Sequence, residues 1–180
     1  MQALFRLFID IAIHRKGPQD VPPSGAVLGL ALLAYATVGA VVLWPSAGSA
    51  AQVAGQVGTD LVLVTAIFGG LLAANGRGAR VPQTLAALFG TGTLLSGAAL
   101  PFVWLSARAF GDGAPLPGME GAATFSVLVL FLLLLVSLLV TGHIVRHALG
   151  WSYAAGVLVA VVYFGISVAV FRTLFPAPVT

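Results

Sequence analysis

Two histidines in the stretch "TGHIVRHALGW", residues 141–151, lie one helical turn apart, so both imidazoles can face one ligand. The sequence leaves three interpretations of His143 and His147 open. They share a metal ion, they join a surface that binds lipid headgroups or a partner, or they mark where a helix leaves the membrane. A closed metal site normally needs three or four protein ligands. A third ligand would have to fold back onto the pair, and the candidates are His14, Asp10 and Asp20.

Catalytic motifs are not found around this pair. Ile144 stands where the His-Glu-x-x-His motif of zinc proteases needs its glutamate. The chain has no cysteine, which excludes thiol nucleophiles, Cys-ligated zinc and iron–sulfur clusters. Ser, His and Asp are present, but no spacing brings them together. We therefore predict no enzymatic activity, no cofactor and no resident metal, with His143 and His147 as weak metal candidates only.

Asp60 is the other residue whose chemistry stands out. The apolar run after it, residues 61–74, spans only about 21 Å of helix, so a membrane helix must begin upstream and carry Asp60 inside the bilayer. An ionisable side chain there is costly and indicates a functional site with a partner. The candidate partners are Arg108, Ser96 and Ser106. A helix N-cap at "GTD", a structural buried pair, and ion or proton handling all stay open.

The composition explains why Asp60 is unusual. The 180 residues are 59% hydrophobic and only 7% charged, which exceeds what one soluble core can hide. The net charge of +3 comes from scattered basic residues, and no basic stripe with interleaved aromatics indicates a nucleic-acid surface. These features predict a membrane protein that binds no nucleic acid.

Five apolar runs are long enough to cross a bilayer as helices. They show no apolar/polar alternation of the kind that a transmembrane barrel needs. The predicted fold is an all-α, polytopic membrane helix bundle with spans at about 25–45, 51–74, 84–107, 124–142 and 151–171. The connectors leave no room for a soluble domain, so residues 25–180 form one transmembrane domain.

An amphipathic segment precedes the spans at residues 1–16. Gln2, Arg6, Asp10 and His14 recur every four residues and form a narrow polar stripe, which predicts a helix lying at the membrane interface. Arg6 and Asp10 are spaced to form an ion pair. This helix anchors the chain to the membrane surface, or it docks on a partner or on the bundle's own inner mouth. The Pro-rich residues 17–24 then turn the chain into the first span.

Basic residues in the short connectors predict the orientation, because they favour the cytoplasmic side. An inner N-terminus puts six basic residues inside and leaves only Arg108 and Arg172 outside. The C-terminus is then periplasmic in a bacterial inner membrane. The predicted inner face is a lipid- or partner-binding surface made of Arg6, Asp10, His14, Arg15, Lys16, Arg77, Arg80, His143, Arg146 and His147.

The third span carries a face of small residues, Gly90, Gly92, Ser96 and Gly97, that lets another helix approach closely. Gly25 with Gly29 offers a similar face on the first span. The run "RVPQTLAALFGTGTLLSGAALP", with five spans and a basic loop before the last, resembles the Yip family of Ypt/Rab-interacting membrane proteins and their prokaryotic relatives. The opening segment with "GPQD" is similar to small proteobacterial membrane proteins.

The resemblance covers mainly residues 60–170 and implies a five-span protein that organises membranes and binds partners, without catalytic residues. The favoured function is a non-enzymatic scaffold or accessory subunit that binds lipids or a partner at the inner membrane face. Its expected partners are membrane lipids and either another membrane protein or further copies of the chain. The alternative function is a small transporter, or a metal or proton conduit, that uses Asp60 with the His143/His147 pair.

Overall fold

The helical fold class is confirmed. A computed structural model of the chain describes residues 2–111 and 114–176, and in this part six α-helices account for nearly all regular structure. Five of them are long and apolar enough to cross a membrane, and one short helix precedes them. Leu33, Val62 and Leu158, on three different long helices, are each more than 60% exposed. Such an apolar exterior suits lipid rather than water, so the chain is a polytopic membrane protein.

The six helices follow one another with short connections. Their bounds are α1 Gln2–Ala12, α2 Gly25–Leu43, α3 Ala50–Ala74, α4 Val81–Ala109, α5 Glu120–Leu149 and α6 Tyr153–Leu174. Short 3-10 turns lie at Pro18–Asp20, Trp44–Ser46 and Gly78–Arg80. After α4, strands β1 Phe110–Gly111 and β2 Ala114–Pro115 form a minimal antiparallel pair, with Phe110 opposite Pro115.

Helices α4 and α5 are longer than the bilayer requires. They contain 29 and 30 residues, or about 43 to 45 Å of helix against about 30 Å of hydrocarbon. Helix α5 starts before the predicted span 124–142 and continues through His143 and His147 to Leu149. Gly150 ends it in the left-handed conformation, at φ 67°, which is the usual place for glycine after a helix. The histidine pair is therefore helical.

Helix α4 is the centre of the bundle and contacts α1, α2, α3 and α5, while α6 packs mainly on α5. Two glycine contacts make this close packing possible. The Tyr35 ring of α2 fills the space where Gly92 would carry a Cβ, and the backbones of Gly142 and Gly156 meet where α5 crosses α6. The predicted close approach at Gly25 and Gly29 is wrong, because a Cβ at either position would meet nothing within 4 Å.

Helix α1 is built into the bundle. Its Leu7 and Ile11 are buried against α4 and α5, and the Phe8 ring occupies the space beside Gly90 of α4. Phe5, Ile9 and Ile13, also four residues apart, form an exposed apolar edge. The helix thus has a face for the bundle and an edge suited to lipid, beside the polar stripe that the sequence predicts. The sequence leaves open whether this helix lies on the membrane surface, docks on a partner or docks on the bundle. In the structure it packs on the bundle.

Candidate functional site

Asp60 lies ten residues after the start of α3, about 15 Å from that end of the helix. This position is inside the helix, so the N-cap interpretation is wrong. Ser49 is the N-cap, and its hydroxyl accepts a hydrogen bond from the Gln52 amide. Asp60 therefore carries a carboxylate about midway along a membrane helix, where lipid alone cannot solvate it.

Two tyrosines from other helices solvate the Asp60 carboxylate. The Tyr35 hydroxyl of α2 donates to Oδ2 at 2.6 Å, and the Tyr163 hydroxyl of α6 donates to Oδ1 at 3.1 Å. Hydrogen bonds to a charged acceptor are stronger than those between neutral groups. Packing fixes both rings: Tyr35 lies against Phe89 and Gly92, and the Tyr163 ring is 5.0 Å from that of Phe68.

The partners predicted for Asp60 are not the ones it uses. Arg108 is exposed near the end of α4, and neither Ser96 nor Ser106 is hydrogen-bonded to Asp60. In the described part of the chain, the one ion pair within 4 Å is that of Lys16 with Asp10. Among the described residues, the Asp60 carboxyl thus has hydroxyl partners and no cation.

A cavity of about 350 Å³ opens beside this carboxylate, and we call it the Asp60 chamber. Four helices line it. Its polar groups are Tyr35, Asp60, Ser96, Tyr163 and Ser167. The remaining walls are apolar, with Val42 and Leu43 from α2, Val57 from α3, and Phe164 and Phe171 from α6 among them. One acidic corner in a half-open, apolar and aromatic cleft is typical of a small-molecule site.

A second cavity of about 200 Å³ shares Tyr35, Ser96 and Tyr163 with the Asp60 chamber. Its further polar groups are Thr91, Ser137 and Thr141. Beyond it, toward the ends of α3 and α5, the core is mainly apolar, with Leu72, Leu85, Ile144, Val145 and Leu149 buried together. Neither His143 nor His147 lines either of these two cavities.

Three chain segments meet at the end of the bundle that carries most of the basic residues. They are residues 14–21, 77–84 and 143–150, and we call this region the basic end. The Gln83 side chain donates to the Val21 carbonyl at 2.8 Å, and the Arg80 guanidinium donates to the Ala148 carbonyl at 3.2 Å. These hydrogen bonds join the N-terminal segment, the start of α4 and the end of α5.

The histidine pair lies in this region, and His14 folds back to meet it. The ring centroids of His14 and His143 are 4.4 Å apart, and those of His143 and His147 are 4.3 Å apart. His14 has a φ of 63°, a left-handed conformation that turns the chain sharply after α1. That conformation costs a non-glycine residue about 1 to 2 kcal/mol, so the ring contacts must offset it.

Each imidazole also bonds a backbone carbonyl. His143 Nε2 donates to the Lys16 carbonyl at 2.8 Å, and His147 Nδ1 donates to the His143 carbonyl at 3.0 Å. His14 Nε2 is 3.4 Å from the Leu139 carbonyl. His14 and His143 therefore connect the N-terminal segment to α5, whereas the His147 bond lies within α5.

The described residues contain no group of three or more His, Cys, Asp or Glu side chains arranged to hold a metal ion. The other candidate ligands are engaged elsewhere. Asp10 accepts from the Lys16 ammonium at 3.3 Å instead of from Arg6, and Asp20 Oδ2 accepts from the Gly17 amide at 2.8 Å. The arrangement suits a joint between segments better than it suits a metal centre.

Arg77 and Arg80 bond the C-terminal end of α5 at the basic end. Arg77 Nη1 donates to the Ala148 carbonyl at 3.0 Å, and Arg80 shares the same acceptor. A helix C-terminus carries partial negative charge and unpaired carbonyls, so two guanidinium groups there stabilise the end of α5. Of the predicted lipid- or partner-binding residues, Arg77 and Arg80 thus bond the end of α5, and Arg80 is also exposed, as are Arg6, Arg15, Lys16 and Arg146.

Sequence reasoning missed Tyr35 and Tyr163, although a signal was available. The chain has three tyrosines, and two of them lie in the middle of predicted spans. Tyrosine in membrane proteins is enriched at the interfaces, and a buried hydroxyl needs a partner. A mid-span tyrosine on each of two helices, with one aspartate on a third, indicates a hydrogen-bonded cluster.

Comparison with known proteins finds no match of this chain to a family model, a curated protein or a solved structure. The Yip-family resemblance therefore stays a prediction from the sequence.

Proposed function

We propose that the chain is a non-enzymatic integral membrane protein, a scaffold or accessory subunit that acts through its basic end by binding anionic lipid headgroups. The observation that carries this proposal is the gathering of exposed cations from separate segments on one end of the bundle. Arg15, Lys16 and Arg146 are exposed there, from the N-terminal segment and from α5. Each basic residue near an anionic membrane surface contributes about 1 kcal/mol of attraction.

The position of α1 supports the same proposal. Its exposed apolar edge, Phe5, Ile9 and Ile13, lies beside the polar stripe that carries Arg6. The end of α1 that leads into His14 fits the boundary between acyl chains and headgroups, whereas Phe8 reaches Gly90, the tenth residue of α4. Since α1 is packed on α4 and α5, the headgroups it attracts would be held next to the bundle. The conduit alternative finds less support, because the histidines line neither of the two cavities beside Asp60.

The lipid experiment compares two double variants with equal loss of charge. In nanodiscs that contain phosphatidylcholine and phosphatidylglycerol, we expect wild-type protein to enrich phosphatidylglycerol in its lipid shell. Arg15→Gln with Arg146→Gln removes two exposed charges from the basic end. At about 1 kcal/mol each, their loss should weaken retention of the anionic lipid by roughly tenfold or more. Native mass spectrometry of the extracted protein measures this retention.

The matched control is Arg108→Gln with Arg172→Gln, which removes two exposed charges near the opposite helix ends. It should retain phosphatidylglycerol as wild type does. Equal loss in both double variants would show that only total charge matters and would reject a lipid site at the basic end. Retention of a membrane protein from the native membrane, lost with the first double variant and insensitive to lipid composition, would replace lipid by a protein partner.

We also propose that the basic end faces the cytoplasm of a bacterial inner membrane, with the C-terminus in the periplasm. Lys and Arg gather on the cytoplasmic side of membrane proteins. The natural absence of cysteine allows a direct test by Pro115→Cys and Asn75→Cys. An impermeant thiol reagent added to intact cells should label residue 115 and leave residue 75 unlabelled. The reverse pattern would invert the orientation.

A further inference from the structure

The Asp60 chamber contains an acidic side chain without a basic partner among the described residues. Its carboxylate accepts hydrogen bonds from Tyr35 and Tyr163, and in the described residues no Lys, Arg or His lies within ion-pair distance of it. An ionised carboxylate has room for about four hydrogen bonds, and two are made here. The site is therefore rich in acceptors and lacks a positive group.

A neighbouring residue adds to this excess of acceptors. Gln56 lies one helical turn before Asp60 on α3, and its buried Oε1 has no hydrogen-bond partner among the described residues. A buried carbonyl oxygen without a donor costs about 1 to 3 kcal/mol. The tyrosine hydroxyls cannot supply that donor, because each already donates its one proton to Asp60. Gln56 is not among the residues that line the chamber, so its oxygen marks an excess of acceptors beside the site and not a contact of the ligand.

The residues that line the chamber indicate which class of cation it suits. Five lining side chains carry oxygen, and Asp60 alone is a carboxylate, whereas Ca²⁺ takes six to eight oxygen ligands. The aromatic rings of Tyr35, Tyr163 and Phe164 also line the site. The faces of such rings attract organic cations, including quaternary ammonium groups. The volume of about 350 Å³ lies within the usual range of small-ligand pockets.

From this arrangement we infer that the Asp60 chamber binds an organic monocation with an apolar body, the charged group resting near Asp60 and the body against the apolar walls. This site is separate from the lipid surface proposed for the basic end. It needs neither the exposed arginines nor the histidines, so each of the two proposals can fail without the other.

The test measures binding of benzyltrimethylammonium to full-length protein in phosphatidylcholine nanodiscs by isothermal titration calorimetry. We expect saturable binding of one ligand per chain. Asp60→Asn removes the charge with little change of shape and should weaken binding at least tenfold. The matched control, Glu120→Gln, removes an exposed carboxylate at the start of α5 and should bind within twofold of wild type.

A second pair of variants keeps the test valid if Asp60→Asn fails to fold. A Cβ at Gly39 would meet nothing within 4 Å, and Gly39 lines the chamber, so Gly39→Leu fills the site without touching the carboxylate. It should weaken binding at least tenfold. Gly29→Leu is the same substitution on the same helix, also in open space but away from the chamber, and should bind as wild type does.

The uncharged isostere neopentylbenzene completes the experiment. It has the shape of benzyltrimethylammonium without the charge and should bind at least tenfold more weakly. Equal binding of the two compounds, or equal binding by wild type, Asp60→Asn and Gly39→Leu, would overturn the inference. Absence of benzyltrimethylammonium binding by folded wild type would also overturn it, even if Asp60 were found to exchange a proton or to bind Rb⁺.

Discussion

The Asp60 chamber and the basic end handle polar groups in opposite ways. In the chamber, one carboxylate draws hydroxyls from two helices that lie far away in sequence, Tyr35 on α2 and Tyr163 on α6. At the basic end, many charged side chains are present, but the specific hydrogen bonds from Arg77 and His143 go to backbone carbonyls. Buried polarity here forms a candidate binding site, while polarity near the surface ties segments together.

The difference follows from the surroundings of each region. A carboxylate inside a bilayer must be solvated by protein, which makes every polar contact expensive to lose. Charges near the headgroups can be solvated by water and lipid, so losing one costs little unless it also caps a helix. Substitutions that affect each region separately can break or sharpen this comparison.

The largest effect is expected from Gly156→Val at the crossing of α5 and α6. The added Cβ would collide with the Gly142 carbonyl, which belongs to backbone and cannot turn aside. We expect a loss of about 3 kcal/mol or more in unfolding free energy, because overpacking here separates two helices. Thermal unfolding in detergent measures the loss.

Gly165→Ala is the control for this prediction, since it lies on the same helix and a Cβ there meets nothing within 4 Å. Its stability should match that of wild type or exceed it slightly. If the clash at residue 156 displaces α6, Tyr163 moves away from Asp60. Gly156→Val should then also weaken binding of the organic cation in the Asp60 chamber. Unchanged stability would contradict the close crossing.

The next effect is expected inside the chamber, from Tyr35→Phe. The variant removes a 2.6 Å hydrogen bond to a charged acceptor, for which we expect a loss of about 1.5 to 3 kcal/mol. Tyr163→Phe should cost less, because its hydrogen bond is longer at 3.1 Å. Chemical unfolding of the two variants gives their order, and a larger loss for Tyr163→Phe would contradict it.

A smaller effect is expected at the basic end from Arg77→Gln. The variant loses a guanidinium that bonds the Ala148 carbonyl and faces the partial negative charge of the α5 terminus, for a cost of about 1 kcal/mol. Arg146→Gln, an exposed arginine of the same helix end, should change stability by less than about 0.5 kcal/mol. Equal losses would mean that Arg77 does not cap α5. Hydrogen exchange at residues 146–150 checks the prediction locally.

The smallest effect is expected from Lys16→Gln. Its ammonium pairs with Asp10 at 3.3 Å, but the Lys16 side chain is 47% exposed, so water and salt screen the interaction. Surface pairs of this kind contribute about 0 to 1 kcal/mol. We expect a change near the lower limit that vanishes in high salt. If Lys16→Gln lowered the free energy of unfolding as much as Tyr35→Phe does, the proposed difference between the basic end and the Asp60 chamber would be wrong.

The sequence predicts the elements of this fold better than it predicts their contacts. The five spans and the amphipathic start follow from apolar run length and from the four-residue recurrence of polar groups, which are local properties. The identity of the partners of Asp60 depends on how α2, α3 and α6 are rotated about their axes. That rotation is set by close contacts such as Tyr35 on Gly92, which join residues far apart in sequence.

The candidate sites show the same limit. Asp60 stands out from the sequence because a charge in an apolar run is rare, and His14 is one of only three histidines. The sequence leaves open whether His14 reaches the pair, because a left-handed turn at a non-glycine residue has no clear sequence signal. In the sequence, Arg77 and Arg80 resemble residues that bind lipid headgroups. The structure shows that both bond the end of α5.

The docking of α1 also has a consequence for how the protein is made. The hydrogen bond between the Lys16 carbonyl and His143 joins residues 127 positions apart. At a synthesis rate of about 5 to 20 residues per second, His143 emerges roughly 6 to 25 s after Lys16. During the first part of that interval, until α4 has been made, the exposed Phe5 edge and the Leu7 and Ile11 face have only the membrane surface to cover them. We therefore expect the amphipathic helix to rest on the membrane surface first and to become part of the bundle when its receiving helices arrive.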